Sequence, residues 1–123
     1  LPTGFERDTK SIIIMYLRYS TLHEQSFPSN LSTTTIQLER SDVSEIEPGA
    51  FRGLRSVTEL GLDDNRITCL GPDAFLGLEK LTRLSVQKNA ISAISRHAFR
   101  GLPELGTLLL SSNHLTAVPV GAL

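Results

Sequence analysis

From Leu78 to Leu102 the apolar residues fall at Leu78, Leu81, Leu84, Val86, Ile91, Ile94, Phe99 and Leu102. That spacing is neither a sustained 3.6-residue helix period nor a clean alternation. The set returns 24 residues earlier at Leu54, Val57, Leu60, Leu62, Ile67, Leu70, Phe75 and Leu78. It returns 24 residues later at Leu102, Leu105, Leu108, Leu110, Leu115, Val118 and Leu123. A fixed period of this size predicts stacked coils in which each coil leans on its neighbours, because none can bury its own leucines alone.

Within one period, apolar residues two apart, such as Leu60 and Leu62, predict a short strand with both side chains inward. Asn65, Asn89 and Asn113 follow at the turn. There a side-chain amide can both donate and accept hydrogen bonds to buried loop backbone that no ladder serves, so a ladder of amides is the expected role. Phe27, Phe51, Phe75 and Phe99 recur in step and predict an aromatic spine behind the core. Gly53, Gly77 and Gly101 permit a tight passage into the next coil.

The unit LxxLxLxxNxI/LxxI/L, with Asn at 65, 89 and 113 and the tails EPGAFRGL, GPDAFLGL and SRHAFRGL, resembles the extracellular leucine-rich repeat in its 24-residue subtype. Three repeats match closely and two earlier ones loosely, together covering nearly the whole chain. The resemblance implies an α/β-type solenoid, mainly strand and turn: a right-handed horseshoe with a short parallel β-sheet on its concave face. Turns or short 3₁₀ pieces belong on the convex side. It divides residues 1–123 into one domain with repeats at 10–33, 34–57, 58–81, 82–105 and a shortened 106–123. Residues 1–9, LPTGFERDT, resemble the junction that leaves an N-terminal cap. Repeat one carries Leu17 and repeat two Ser41 where the others carry Asn, and Thr33 stands at the lead apolar position of repeat two. A start at Leu1 and a stop within a repeat are read as a trimmed or processed chain.

If Leu60 and Leu62 face inward, the residues beside them face outward. One outward column is then Ser11, Thr35, Glu59, Arg83 and Thr107, and the next is Ile13, Gln37, Gly61, Ser85 and Leu109. A third is Met15, Glu39, Asp63, Gln87 and Ser111, followed by Tyr16, Arg40, Asp64, Lys88 and Ser112. The candidate ligand-binding residues are Thr35, Gln37, Glu39, Arg40, Glu59, Asp63, Asp64, Arg83, Gln87 and Lys88. Glu59 opposite Arg83 and Asp64 opposite Lys88 read either as cross-strand ion pairs on a solvated face or as a polar recognition patch. Ile13, Met15 and Tyr16 form an apolar edge with three readings: packing on a cap, pairing with a second copy through an uncapped end, or ligand contact.

Composition changes the picture little. The 123 residues carry 12 basic and 13 acidic side chains with no basic run, which argues against a nucleic-acid partner. The longest apolar run, Ile12 to Leu17, is too short for a membrane span. A single Cys leaves no internal disulfide, unlike the cysteine-rich caps of the secreted family. Cys69 reads as a small, half-buried filler rather than a nucleophile. His23, His97 and His114 fall at different repeat phases, so no metal site is expected, and no catalytic motif or cofactor loop stands out. Asn30-Leu31-Ser32 fits the acceptor rule for N-glycosylation and places Asn30 off the concave sheet.

The resemblance extends to variable-lymphocyte-receptor-like and Toll-like immune proteins. It implies a non-enzymatic, extracellular recognition module that binds microbial surface molecules, glycans or protein antigens on its concave sheet. A cell-adhesion or matrix receptor ectodomain that binds a host protein is the alternative.

Overall fold

The computed structural model describes residues 9–16, 18, 20–24, 26–27, 31–117, 119 and 121–122. Residues 1–8, Leu17 and Asn30 lie outside that set, and with them the cap junction, the first repeat's Asn position and the glycosylation acceptor.

The two-apart apolar pairs form strands as the period demands. β1 (Ser11–Met15), β3 (Thr35–Glu39), β5 (Glu59–Gly61), β7 (Arg83–Ser85) and β9 (Thr107–Leu109) stack in that order into one parallel sheet. Each residue pairs with the one 24 positions on, for example Leu60 with Leu84 and Glu59 with Arg83. Ile36, Leu38, Leu62, Leu84 and Val86 are fully buried, and Leu60 nearly so.

On the far side each coil passes through a turn. Two further small sheets sit between: β2 (Thr21–Leu22) pairs with β4 (Glu45–Ile46), and β6 (Cys69–Leu70) with β8 (Ala93–Ile94). The back of the solenoid thus carries turns, as expected, and two-residue strand pairs in place of 3₁₀ pieces among the described residues. Cys69 is exposed on β6 rather than half-buried, because Leu70 beside it takes the inward position.

The amide ladder has the predicted role. Asn89 Nδ2 donates to the carbonyls of Leu62 (3.0 Å), Val86 (3.3 Å) and Gln87 (3.0 Å). Its Oδ1 accepts from the Ile67 amide at 3.1 Å. Asn65 and Asn113 repeat the pattern, so each side chain ties its own turn to the preceding coil. Ser41 does part of this work with its hydroxyl, which donates to the Glu39 carbonyl at 3.1 Å. Thr33, fully buried at the lead position of its repeat, directs its hydroxyl to the Thr9 carbonyl at 2.6 Å. Hydroxyls stand in where the pattern departs from Asn or Leu because each finds a backbone acceptor.

Behind the core Phe27, Phe51, Phe75 and Phe99 follow one another with ring centroids 5.8, 5.9 and 6.0 Å apart, inside the range of favourable aromatic pairs. Gly77 sits at φ 106°, and a Cβ there would lie 2.7 Å from Arg52 Cα, so the two coils approach closely at this glycine.

Candidate functional site

The concave face is built by the outward side chains of the main sheet. At its centre Gly61 offers no side chain, and a shallow hollow of about 230 Å³ opens over it. Gln37, Glu39, Glu59, Asp63, Arg83 and Gln87 line this hollow, so six of the ten sequence-derived candidates come together around it. Thr35 sits in register beside Glu59 at the strand start. Arg40, Asp64 and Lys88 gather at the strand ends with Glu39, Asp63 and Gln87, around a smaller hollow of about 140 Å³.

The charges are arranged differently from the expected pairs. Glu59 faces Arg83 in register, yet no ion pair within 4.0 Å joins them. Asp64 turns toward Arg40 (3.7 Å) instead of Lys88. Asp64 has a basic column neighbour on either side, Arg40 and Lys88, and meets the first; all three sit in the left-handed region, at φ 48°, 60° and 55°, where the chain leaves the strand. Asp63 is a structural anchor as well as a surface group: its Oδ1 accepts from Ser85 Oγ (2.6 Å) and from the Gln87 amide (2.8 Å). Ser85, largely buried, lies in the lining of the hollow with its hydroxyl donated to this bond.

The apolar edge is open in this structure. Ile13, Met15 and Tyr16 are 61%, 43% and 68% exposed, and β1 has a neighbour on one side alone among the described residues.

A third hollow, of about 410 Å³, lies past the strand ends on the flank and was not legible as a motif. Tyr16, Arg18, Arg40, Asp42 and Arg66 line it. Arg18, Asp42 and Arg66 are themselves a 24-residue column, which is the signal that finds them. Arg40 Nη1 donates to Tyr16 Oη at 3.4 Å. That bond is the first cause, with the electrostatic pull of Tyr16 and of the Asp64 carboxylate behind it, that raises the Arg40 guanidinium above its ordinary value. Arg66 reaches Asp42 at 3.5 Å. On the convex side Arg100 grips Asp73 with two bonds, 2.8 and 2.9 Å, which hold the Asp73 carboxyl below its usual range.

Among the described residues no group of three His, Cys, Asp or Glu side chains is placed to hold a metal ion, and no helix is long and apolar enough to cross a membrane.

The stacked sheet, amide ladder and phenylalanine spine define a leucine-rich-repeat solenoid. The family profile described as Leucine rich repeat matches residues 7–67 and again 55–115, and the chain belongs to that family. Among solved structures it is similar to a chain of the crystal structure of a TLR13–ssRNA13 complex. The two are 34% identical over 85% of this chain, with a TM-score of 0.79. This chain spans about 14% of that larger one. No curated protein matches it.

One expectation is corrected by this likeness. The absence of a basic run argued against a nucleic-acid partner, yet a solenoid of the same fold is found in complex with single-stranded RNA. Counting basic residues along the chain fails here because coiling, not adjacency, brings charges together: Arg18, Arg40 and Arg66 meet in one hollow from three successive repeats.

Proposed function

We propose that this chain is a ligand-recognition segment of an innate immune receptor ectodomain, facing the extracellular space or an endosomal lumen. It takes its ligand on the concave sheet around Gly61 and acts by binding rather than catalysis. The observation that carries the reading is the polar hollow over Gly61. Its lining projects from strands whose inward side chains make the core, so contact residues other than the anchor Asp63 can vary at little cost to folding. Glu39, Glu59 and Asp63 set against Arg83 make a charge pattern that selects for an oriented, polar ligand. The solved TLR13–ssRNA13 complex puts single-stranded nucleic acid beside surface glycans and protein antigens among the classes to test, with any phosphate contact falling to Arg83 because the three carboxylates repel it.

Gly61→Leu supplies the test. Gly61 has an ordinary strand φ, and a Cβ there meets nothing closer than Gln37 Cγ at 3.5 Å, so the larger side chain fills the hollow without disturbing the core. A panel of single-stranded RNA, bacterial glycans and soluble proteins is titrated against the natural chain, Gly61→Leu and Arg83→Glu. Loss of binding in both variants, with unchanged melting, supports the reading. Binding that survives both moves the site off the sheet.

A further inference from the structure

The flank hollow shares Arg40 with the strand-end hollow of the concave face but otherwise has a lining of its own. Three guanidinium groups, Arg18, Arg40 and Arg66, stand against Asp42 in the lining and Asp64 beside Arg40, which leaves a local excess of one positive charge on a chain whose net charge is −1. The bonds that occupy them are loose: 3.4 Å from Arg40 to Tyr16, 3.7 Å to Asp64 and 3.5 Å from Arg66 to Asp42. The Arg40 and Arg66 side chains are 58% and 76% exposed, so these pairs are solvated and weakly held. Arg18 has no ionic partner among the described residues. Planar guanidinium donors of this kind match phosphate oxygens in pairs.

Beside them stands Tyr16. Every repeat places a residue at left-handed φ at this position: Arg40, Asp64, Lys88 and Ser112 follow it at φ 48° to 60°. Tyr16 is the one aromatic ring of that column, held at φ 60° and 68% exposed at the rim of the hollow. An exposed ring next to basic groups is the pairing by which single strands are held, the base on the ring and the phosphate on the cations.

We propose that this flank hollow binds a phosphodiester segment of single-stranded nucleic acid, with phosphate on Arg18 and Arg66 and a base stacked on Tyr16. The proposal rests on the reading of the chain as a ligand-binding ectodomain segment and adds a second contact outside its sheet.

The test uses the full chain and a fluorescein-labelled 13-nucleotide single-stranded RNA, followed by anisotropy from low to moderate salt. Tyr16→Ala is expected to weaken binding about tenfold, as loss of one stacked base does, while Tyr16→Phe stays within about twofold. Arg18→Gln and Arg66→Gln are each expected to lower the logarithmic salt slope by about 0.7, the share of one phosphate on a single strand. All three positions are outside the core, and unchanged urea melts check that the fold is intact. The proposal is overturned if the natural chain does not bind the RNA, or if these variants bind as it does. It is equally overturned if heparin binds as tightly and ignores Tyr16→Ala, which would mark a general polyanion surface. Gly61→Leu separates the two sites. RNA binding lost in Gly61→Leu and kept in Arg18→Gln leaves the concave reading standing and removes this one. The opposite pattern keeps the flank site and removes the concave one.

Discussion

Single residues explain why so regular a chain tolerates irregular positions. Asn89 makes four buried or half-buried hydrogen bonds that reach two coils. Asn89→Ala strands the Ile67 amide, whereas the Leu62 carbonyl keeps its bond from Asn65, and an unsatisfied buried group costs about 1–3 kcal/mol. A drop of about 1–3 kcal/mol in urea-derived stability is expected. Asp73 tests the convex side. Arg100 holds its folded carboxyl below the ordinary aspartate value, so its stabilising contribution is present above the unfolded pKa and fades as pH falls through the folded one. The urea midpoint should therefore decline below about pH 4, the ordinary aspartate range. Asp73→Asn should flatten that decline, and an unchanged pH profile would show the ion pair to be idle.

The elements were legible in the sequence to unequal degrees. The apolar period set the register of every main strand, because an inward leucine moved by one place would face water. The second strand of each coil was not legible. β2, β4, β6 and β8 are two residues long, too short for any alternation to declare itself. The concave candidates were placed well by column, since register alone decides which outward residues neighbour one another. Their ion pairs were not, because register neither chooses between the two basic neighbours of Asp64, Arg40 and Lys88, nor brings the Glu59 and Arg83 side chains within ion-pair distance. The flank arginines were missed for a different reason: Arg18 and Arg66 are unremarkable until the coil brings them to Arg40. Glycines divide likewise between identical sequence and different surroundings. Gly53 at φ 92° has open space around its missing Cβ, whereas Gly77 at φ 106° has Arg52 Cα at 2.7 Å. Gly53→Ala should cost about 1 kcal/mol, from the backbone conformation alone. Gly77→Ala should cost about 2–4 kcal/mol, because strain and a backbone clash add. Equal costs in chemical melts would show that the coils do not touch at Gly77.

At the scale of the whole molecule, stability and recognition run on opposite sides of the same strands. Inward residues form one continuous core from Ile12 to Phe99, and outward ones vary from apolar through acidic to mixed along the sheet. Arg83 and Leu84 are chain neighbours on β7: the first is exposed and free of ion pairs among the described residues, the second fully buried between two coils. Urea unfolding of Arg83→Ala and Leu84→Ala, measured side by side, tests this division most directly. Leu84→Ala is expected to lose about 2–5 kcal/mol, the cost of a core cavity. Arg83→Ala should stay within about 0.5 kcal/mol of the natural chain, as surface changes do. Comparable losses in the two variants, or no loss at Leu84, would contradict the account.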